Sequence, residues 1–433
     1  MATNTEEPTS TIRAVVWEGK VNQISVRSVP KPTILLPEDA IVRVTSAGLC
    51  GSDLHTYRGF IGALQPPWSM GHEAVGIVVE VGPATEQFKV GDRVVVPGGH
   101  DTGHLAVEPP QSAIPTEFGN AYGQGYPDLG GCQAEYLRVP FADDSLISIP
   151  QDGTGDAASD LDWLMLTDVL PTAWSGLDNT GFQSGDSVAV FGLGPIGLAC
   201  VYIAAVLRGA SQVFAVDHVR QRLDKAASLG PNVIPIDFSD LKLGKASEQI
   251  LRRRPGGVHR AVDCVGQEGS LDETLRRSQN YVLQEAIRVV TFGGGVGLTG
   301  VYTGGIIPQS EGAPRADEME ADLSIDVPAL WAKSVSMKGG VVPLYEPGLL
   351  PRLYELIHLG KAKGFGRWLI STVSTNGVED APGLYDRFDK RQEIKVVFRF
   401  PNVEVPVKGL EEEGDRAVIP ETVSHARPNK IPG

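Results

Sequence analysis

Three short stretches of the chain place metal-ligating side chains next to glycine. Cys50 sits in GLCGSDLH, His72 and Glu73 in MGHEAVG, and Asp168 in LTDVLPTAW. Taken singly, each has an ordinary explanation. A cysteine after a strand is most often a small buried hydrophobe. A His–Glu pair in a turn is usually a solvated loop, and an Asp before a proline-containing helix is usually a cap. Taken together, they offer thiolate, imidazole and carboxylate, all of them zinc donors. Three protein ligands leave a fourth position for water or substrate, so the combination reads as a mononuclear catalytic zinc site.

A second constellation, Gly192-Leu193-Gly194-Pro195-Ile196-Gly197, follows the apolar run SVAVFG and opens a helical stretch. In that setting the first glycine permits a tight turn and the second lets the backbone approach a pyrophosphate. The third, Gly197, lets helix and strand pack closely. The helix N-terminus offers unpaired N–H groups to the phosphates. Asp217 closes the next strand, about 20 residues after Gly197, where its carboxylate would bind the ribose hydroxyls and repel the extra phosphate of NADP. NAD is therefore the expected cofactor. His218 and Arg220, close behind, keep NADP as the lesser alternative.

The elements that must position these residues can be read from texture. Residues 12 to about 150 are β-branched runs broken by Gly and Pro (AVVWEG, AIVRVTSAG, EAVGIVVEVG, GDRVVVPG, AEYLRVP), the pattern of a twisted antiparallel sheet or barrel. From about 170 to 340, strands (SVAVFG, QVFAVD, VIPID, AVDCVG) alternate with helical stretches, which implies a parallel sheet with crossover helices. After 340 come one helix, PGLLPRLYELIHLGKA, and a last strand, KVVFRF. The predicted organisation is a short disordered arm over 1–11, a first domain over 12–169, a nucleotide domain over 170–340, a return to the first domain over 341–400, and a tail over 401–433. The uncharged stretch from Ser187 to Leu207 is long enough to cross a bilayer, but the glycines and proline in its middle divide it into a buried strand and a buried helix.

Composition narrows the partners. A net charge of −15 disfavours nucleic acid and anionic membranes, which reward a basic face. The 51 glycines and 31 prolines suit a turn-rich α/β enzyme. Four cysteines, Cys50, Cys132, Cys200 and Cys264, stand singly, without a disulfide framework. With an acidic N-terminus unlike a signal peptide, they point to a reducing, cytoplasmic location.

GLCGSDLH, GHEAVGIVVEVG, VGDRVVVP, GLGPIG and the closing Asp217, in this order, resemble the zinc-dependent alcohol dehydrogenases of the medium-chain dehydrogenase/reductase superfamily. AYGQGYPDLGGCQAEYLRVPFAD, LTDVLPTAW, AVDCVG, GLTGVYTGG and PALWAKSVSMKGG further resemble the glutathione-independent formaldehyde dehydrogenase branch. The resemblance implies an α/β fold, a GroES-like twisted β-barrel catalytic domain joined to a Rossmann doubly wound parallel-sheet domain. It implies that Cys50, His72 and Asp168 bind one zinc, with Glu73 beside it as an outer or transient ligand. Ser52 would take the substrate hydroxyl proton and His55 would pass it to solvent through the cofactor ribose. Thr172 would lie beside the nicotinamide, Ile196 would pack behind its ring, and Arg222 joins Gly192, Gly194, Pro195, Gly197 and Asp217 on the cofactor. A thiolate and a carboxylate together balance the charge of Zn²⁺, and the harder oxygen donor keeps the metal a good Lewis acid.

The implied activity is NAD-linked interconversion of an alcohol, or an aldehyde hydrate, with its carbonyl compound. A metal-independent enoyl or quinone reductase and a non-catalytic NAD(H)-binding protein are the alternatives. The sequence departs from the relatives in three places, one of them the tail beyond residue 400, to which the family gives no role. The stretch from Gly98 to Gly119 lacks the four cysteines of a structural zinc, and His100 with His104 reads as plain loop. The segment GQEGSLDETLRRSQNYVLQE, residues 266–285, reads as short and helical where the formaldehyde dehydrogenases carry a long insertion over the cofactor. Tyr57 to Trp68, with Tyr122, Trp163 and Trp174, are candidate pocket residues, which suggests a substrate larger than formaldehyde. A homodimer or homotetramer is implied, joined through the edge strand of the nucleotide domain, placed around GGGVGLTGVY.

Overall fold

A computed structural model describes residues 10–100, 121–125, 128–150, 160–240, 242–270, 274–341 and 348–401. The cysteine-free stretch after Gly98, His104 included, lies almost wholly outside the described residues, as do residues 1–9 and 402–433. Residue 11 belongs to the first strand rather than to the predicted arm.

The first part of the chain folds as antiparallel β-structure. Its strands are β1 (Thr11–Trp17), β2 (Ser25–Pro30), β3 (Ala40–Leu49), β4 (Trp68–Ser69), β5 (Ala74–Val81), β6 (Arg93–Val96), β7 (Tyr136–Val139) and β8 (Ile147–Ser148). β2, β1 and β4 form a small sheet. The larger sheet is built on the long strand β3, which pairs β5 on one side with bulges between Ile41 and Val42 and between Val44 and Ser46. Such bulges bend and twist a strand, which is how a sheet of this length curls toward a barrel. Its interior is filled by Val42, Val44, Leu49, Val94 and Phe398, all fully buried.

Parallel structure follows: β9 (Ser187–Phe191), β10 (Gln212–Asp217), β11 (Val233–Asp237), β12 (Val258–Asp263), β13 (Val290–Leu298) and β14 (Ser336–Gly339). Their spatial order is β11-β10-β9-β12-β13-β14, so the direction of winding reverses between β9 and β12. That reversal opens a crevice beyond the carboxyl ends of the two strands, the usual ligand position in such sheets. β9 is buried on both faces: Val188 and Val190 face one core, Ala189 and Phe191 the other. Helices on both sides supply those cores, as a parallel sheet requires. The uncharged stretch resolves as expected into β9, the glycine turn, the helix Pro195–Tyr202 and a π-helical turn over Ile203–Leu207. No helix among the described residues is long and apolar enough to cross a membrane.

The chain then returns. β15 (Thr372–Ser374) and β16 (Val396–Arg399) add to the first sheet, with β16 antiparallel to β3. One core bridges the two sheets: Val75 and Val95 of the antiparallel part lie in the same cluster as Leu193 and Leu198 of the glycine turn and its helix. The crevice is thus walled by both halves.

Three sequence expectations need correction. Residues 266–285 are not one helix: a 3₁₀ turn covers Gly266–Glu268, and a helix begins only at Tyr281. Between them Ser270 pairs with Arg277 in an isolated bridge, and Ser278 N bonds to Gly269 O, so the backbone is committed elsewhere. GGGVGLTGVY is not the sheet edge: it supplies the end of β13, which is flanked by β12 and β14, and the edge is β14. The stretch Tyr57 to Trp68 does reach the crevice, through Arg58 and Ile61, but the aromatic candidates Tyr57, Trp68, Tyr122, Trp163 and Trp174 are buried core residues that do not line it.

Candidate active site

Cys50 follows β3 directly and caps the short helix Gly51–Tyr57, which carries Ser52 and His55. His72 and Glu73 lie in the turn that enters β5, and Asp168 stands immediately before the helix Val169–Asn179. Asp168 occupies the cap position of that helix but its side chain makes no cap hydrogen bond. It turns instead toward the other candidates. The Cys50 thiol donates to Asp168 Oδ2 at 3.1 Å, and His72 Nε2 lies 3.7 Å from the same oxygen. One ligand atom each from Cys50, His72, Glu73 and Asp168 lies within 4.8 Å of the others. Residues separated by more than 100 positions are therefore brought to one point, as the sequence predicts.

Neighbouring groups hold the donors in place. Asp53 Oδ1 faces His72 Nδ1 at 3.4 Å, while Asp53 Oδ2 accepts from Cys50 N at 2.9 Å and Gln133 Nε2 at 3.0 Å. Thr172 donates to Asp168 Oδ1 at 2.6 Å. Glu73 is paired with Lys395 through both oxygens, at 2.5 and 2.6 Å, and Lys395 also donates to Leu49 O at 3.1 Å. Both members of this pair are fully buried. Glu73 thus joins the cluster with its charge matched by Lys395, whereas Asp168 faces Cys50 and His72.

The protonation balance reports a site shaped for a cation. Burial, reinforced by the Asp168 charge, pushes the Cys50 thiol up to about 11. Burial also works against the His72 imidazolium, but Asp53 and Asp168 outweigh it and raise His72 well above its usual range. For Asp168, burial is overcome by hydrogen bonds from His72, Thr172 and Cys50, which lower its pKa. Protons on Cys50 and His72 neutralise a convergence of acidic groups. A divalent ion does the same and deprotonates a coordinating thiol outright. A thiol, an imidazole and a carboxylate, buried and convergent, fit zinc.

The cluster opens into a cavity of about 900 Å³ that runs along the crevice between the two sheets. Cys50, Ser52, His55, His72, Asp168 and Thr172 line one part of it. Gly192, Gly194, Pro195, Ile196, Asp217 and Arg222 line another. A side-chain carbon added at Gly194 would meet nothing within 4 Å, so this turn presents bare backbone to the cavity. At Gly197 the same carbon would lie 1.7 Å from Gly192 O, which leaves no room for any side chain. Asp217 accepts from Leu193 N at 2.6 Å, His218 N at 2.7 Å and Val219 N at 2.9 Å, with Arg222 Nη1 3.9 Å away. Its carboxylate is fixed at the end of β10, facing the cavity. An open glycine cradle at a helix N-terminus, followed by a fixed acid, fits a dinucleotide.

Four residues were missed in the sequence. Asp53 stands three after Cys50, a spacing that marks a helix-start interaction and could have been noticed. Lys395 is far from Glu73 in the chain, and no local signal connects them. Glu268 engages His55 Nδ1 through Oε1 and accepts from Arg58 Nη1 through Oε2, the latter at 2.7 Å. Neither Glu268 nor Arg58 carries a sequence signature.

Comparisons with known proteins agree with this arrangement. Residues 36–151 match the Alcohol dehydrogenase GroES-like domain family. An uncharacterized zinc-type alcohol dehydrogenase-like protein, AdhB, of Bacillus subtilis is 32% identical over 90% of this chain and 100% of its own. The glutathione-independent formaldehyde dehydrogenase of Bacillus subtilis is 32% identical over 89% of this chain and 96% of its own. Among solved structures, the alcohol dehydrogenase TADH from Thermus sp. ATN1 superposes with a TM-score of 0.70 at 30% identity, over 90% of this chain and 100% of that one. A likeness that spans the full length of such relatives, in sequence and in fold, makes this chain a member of the zinc-type alcohol dehydrogenase family of oxidoreductases.

Proposed function

We propose that the protein is a zinc-dependent, NAD-linked dehydrogenase that interconverts an alcohol, or an aldehyde hydrate, with the corresponding carbonyl compound. The observation that carries this reading is the meeting of Cys50, His72 and Asp168 in the same cavity as the glycine cradle. A metal-independent reductase has no use for these buried donors, and a protein that only binds NAD(H) has none for the polar groups around them.

Cys50, His72 and Asp168 would hold the zinc. When bound, zinc supplies a Lewis acid for the substrate oxygen, and NAD supplies the hydride acceptor. The protein's own contribution is orientation and proton handling. Asp53 would fix Cys50 and His72, and Thr172 would fix Asp168, as outer partners of metal ligands do. Ser52 Oγ lies 3.2 Å from His72 Nε2 and lines the cavity, and in this reading it would take the hydroxyl proton. His55, three residues on and lining the same cavity, would carry it away. Thr172 has two tasks in this reading, beside the nicotinamide and on Asp168. Ile196 would back the nicotinamide ring, and Asp217 with Arg222 would hold the adenosine ribose, favouring NAD over NADP.

The substrate we propose is a primary or secondary alcohol, or its aldehyde, larger than formaldehyde. The aromatic residues first considered do not support this, since they are core. The cavity itself does, because apolar Leu54, Ile61, Val301 and Leu323 join its lining. Assembly as a homo-oligomer would use β14, the last strand of the parallel sheet among the described residues. The test is NAD and NADP reduction across a panel of primary and secondary alcohols and aldehydes. The reading expects turnover with NAD and with substrates beyond one carbon; activity on formaldehyde alone would overturn the size assignment.

A further inference from the structure

His55 does not stand free in the cavity wall. Its Nδ1 is engaged by Glu268 Oε1, a residue from the opposite half of the fold, on the 3₁₀ turn after β12. The other oxygen of Glu268 accepts from Arg58 Nη1 at 2.7 Å, and Arg58 Nε donates in turn to Asp389 Oδ1 at 2.6 Å. The His55 and Glu268 side chains are only 10% and 12% exposed, so little water competes for these bonds. The turn that carries Glu268 is itself clamped: Gln267 donates to Thr303 Oγ1 at 2.9 Å and accepts from Thr303 N at 2.7 Å. Glu268 is therefore fixed from its own backbone and from its far oxygen.

We infer that Glu268 is a positioning residue for His55: backed by Arg58, it holds the imidazole as the Nδ1–H tautomer and leaves Nε2 as the proton acceptor on the cavity side. The chemistry is that of an acceptor-only partner. An ionised carboxylate cannot donate, so the ring nitrogen it touches must carry the hydrogen, and in the neutral ring the lone pair then lies on Nε2. Burial opposes the Glu268 charge, but His55 and Arg58 outweigh it and pull its carboxyl down to about 2. Arg315 adds a further positive charge facing the same carboxylate. The proton balance is simple. Nε2 takes the proton passed on from Ser52, the imidazolium is held against Glu268, and the proton leaves from the same nitrogen to solvent. Carboxylate–imidazole pairs in hydrolase triads work on the same logic, with the carboxylate orienting the ring and never protonated itself.

This inference rests on the proposed role of His55, and its test separates the two. In ¹⁵N-histidine-labelled protein, with His55 assigned by comparison with His55→Gln, the ring nitrogen shifts report the tautomer without turnover. The expected result is a protonated Nδ1 and an unprotonated Nε2 in the wild type, and a mixed population in Glu268→Gln. Kinetics give the second readout. Glu268→Gln should lower kcat by roughly tenfold or more with KM little changed, and should cost nothing further in a His55→Gln background. An Nε2–H tautomer in an active wild type, or equal losses for Glu268→Gln with and without His55, would overturn the inference. Absence of any alcohol-dependent NAD reduction by the wild type would instead overturn the dehydrogenase reading, whatever the tautomer.

Discussion

At the scale of single residues, the site is a problem of buried charge. Two carboxylates, Glu73 and Asp168, approach one point, and each needs a cation. Lys395 serves Glu73; the zinc would serve Asp168 and Cys50. Removing one partner of a fully buried ion pair typically costs about 3–5 kcal/mol, because the other charge is left without compensation. Lys395→Met should therefore lower the urea midpoint strongly, and Glu73→Gln in the same chain should restore much of the loss. Burial already raises the Glu73 pKa above its unfolded value. A carboxyl raised in this way favours folding at low pH and loses that advantage as the pH climbs through its folded pKa. The penalty of Lys395→Met should accordingly be smaller at pH 5 than at pH 7.5 in denaturation curves. Equal penalties at both pH values would show that Glu73 is not the group left exposed to the loss.

At the scale of elements, what the sequence revealed and what it hid have physical causes. The glycine turn was legible because strand, turn and helix are contiguous, and each glycine answers a local demand. Gly194 and Gly197 separate those demands. Gly194→Ala should fold within about 0.5 kcal/mol of the wild type, since its added carbon meets open space, yet bind NADH at least about tenfold more weakly. Gly197→Ala should lose about 1–3 kcal/mol of stability, because Gly192 O occupies the space. Thermal melts and NADH fluorescence titrations check both. Cys50, His72 and Asp168 were legible as donor types at strand and helix ends, although only the fold brings them together. Lys395, Glu268 and Arg58 were not. They act across elements more than 200 residues apart from their partners, and pairing at that range leaves no period or spacing in the chain. The helix expected over 266–285 failed for a related reason: Glu268 and Gln267 are committed to bonds with residues on other elements.

At the scale of the whole molecule, two sheets share one core and enclose one crevice, so the glycine cradle and the Cys50–His72–Asp168 cluster are walls of a single cavity. The six-stranded sheet ends at β14, whose residues Ser336–Gly339 are all exposed. Trp331, 80% exposed, and Phe292, 74% exposed, stand on segments flanking that edge. A strand that ends its sheet among the described residues, with large apolar neighbours, invites pairing with a second copy. Light scattering should show a dimer or larger assembly at micromolar concentration. Trp331→Glu combined with Met337→Lys should shift it toward monomer, while a wild-type monomer would contradict assembly through this edge. The central claim, however, is the metal. Zinc content should be measured in the purified wild type, Cys50→Ser and Asp168→Asn, alongside NADH binding and alcohol-dependent NAD reduction. The account predicts about one zinc per wild-type chain, and loss of zinc and turnover but not of NADH binding in both variants. A wild-type protein that turns over alcohol with less than about 0.2 zinc per chain would contradict it.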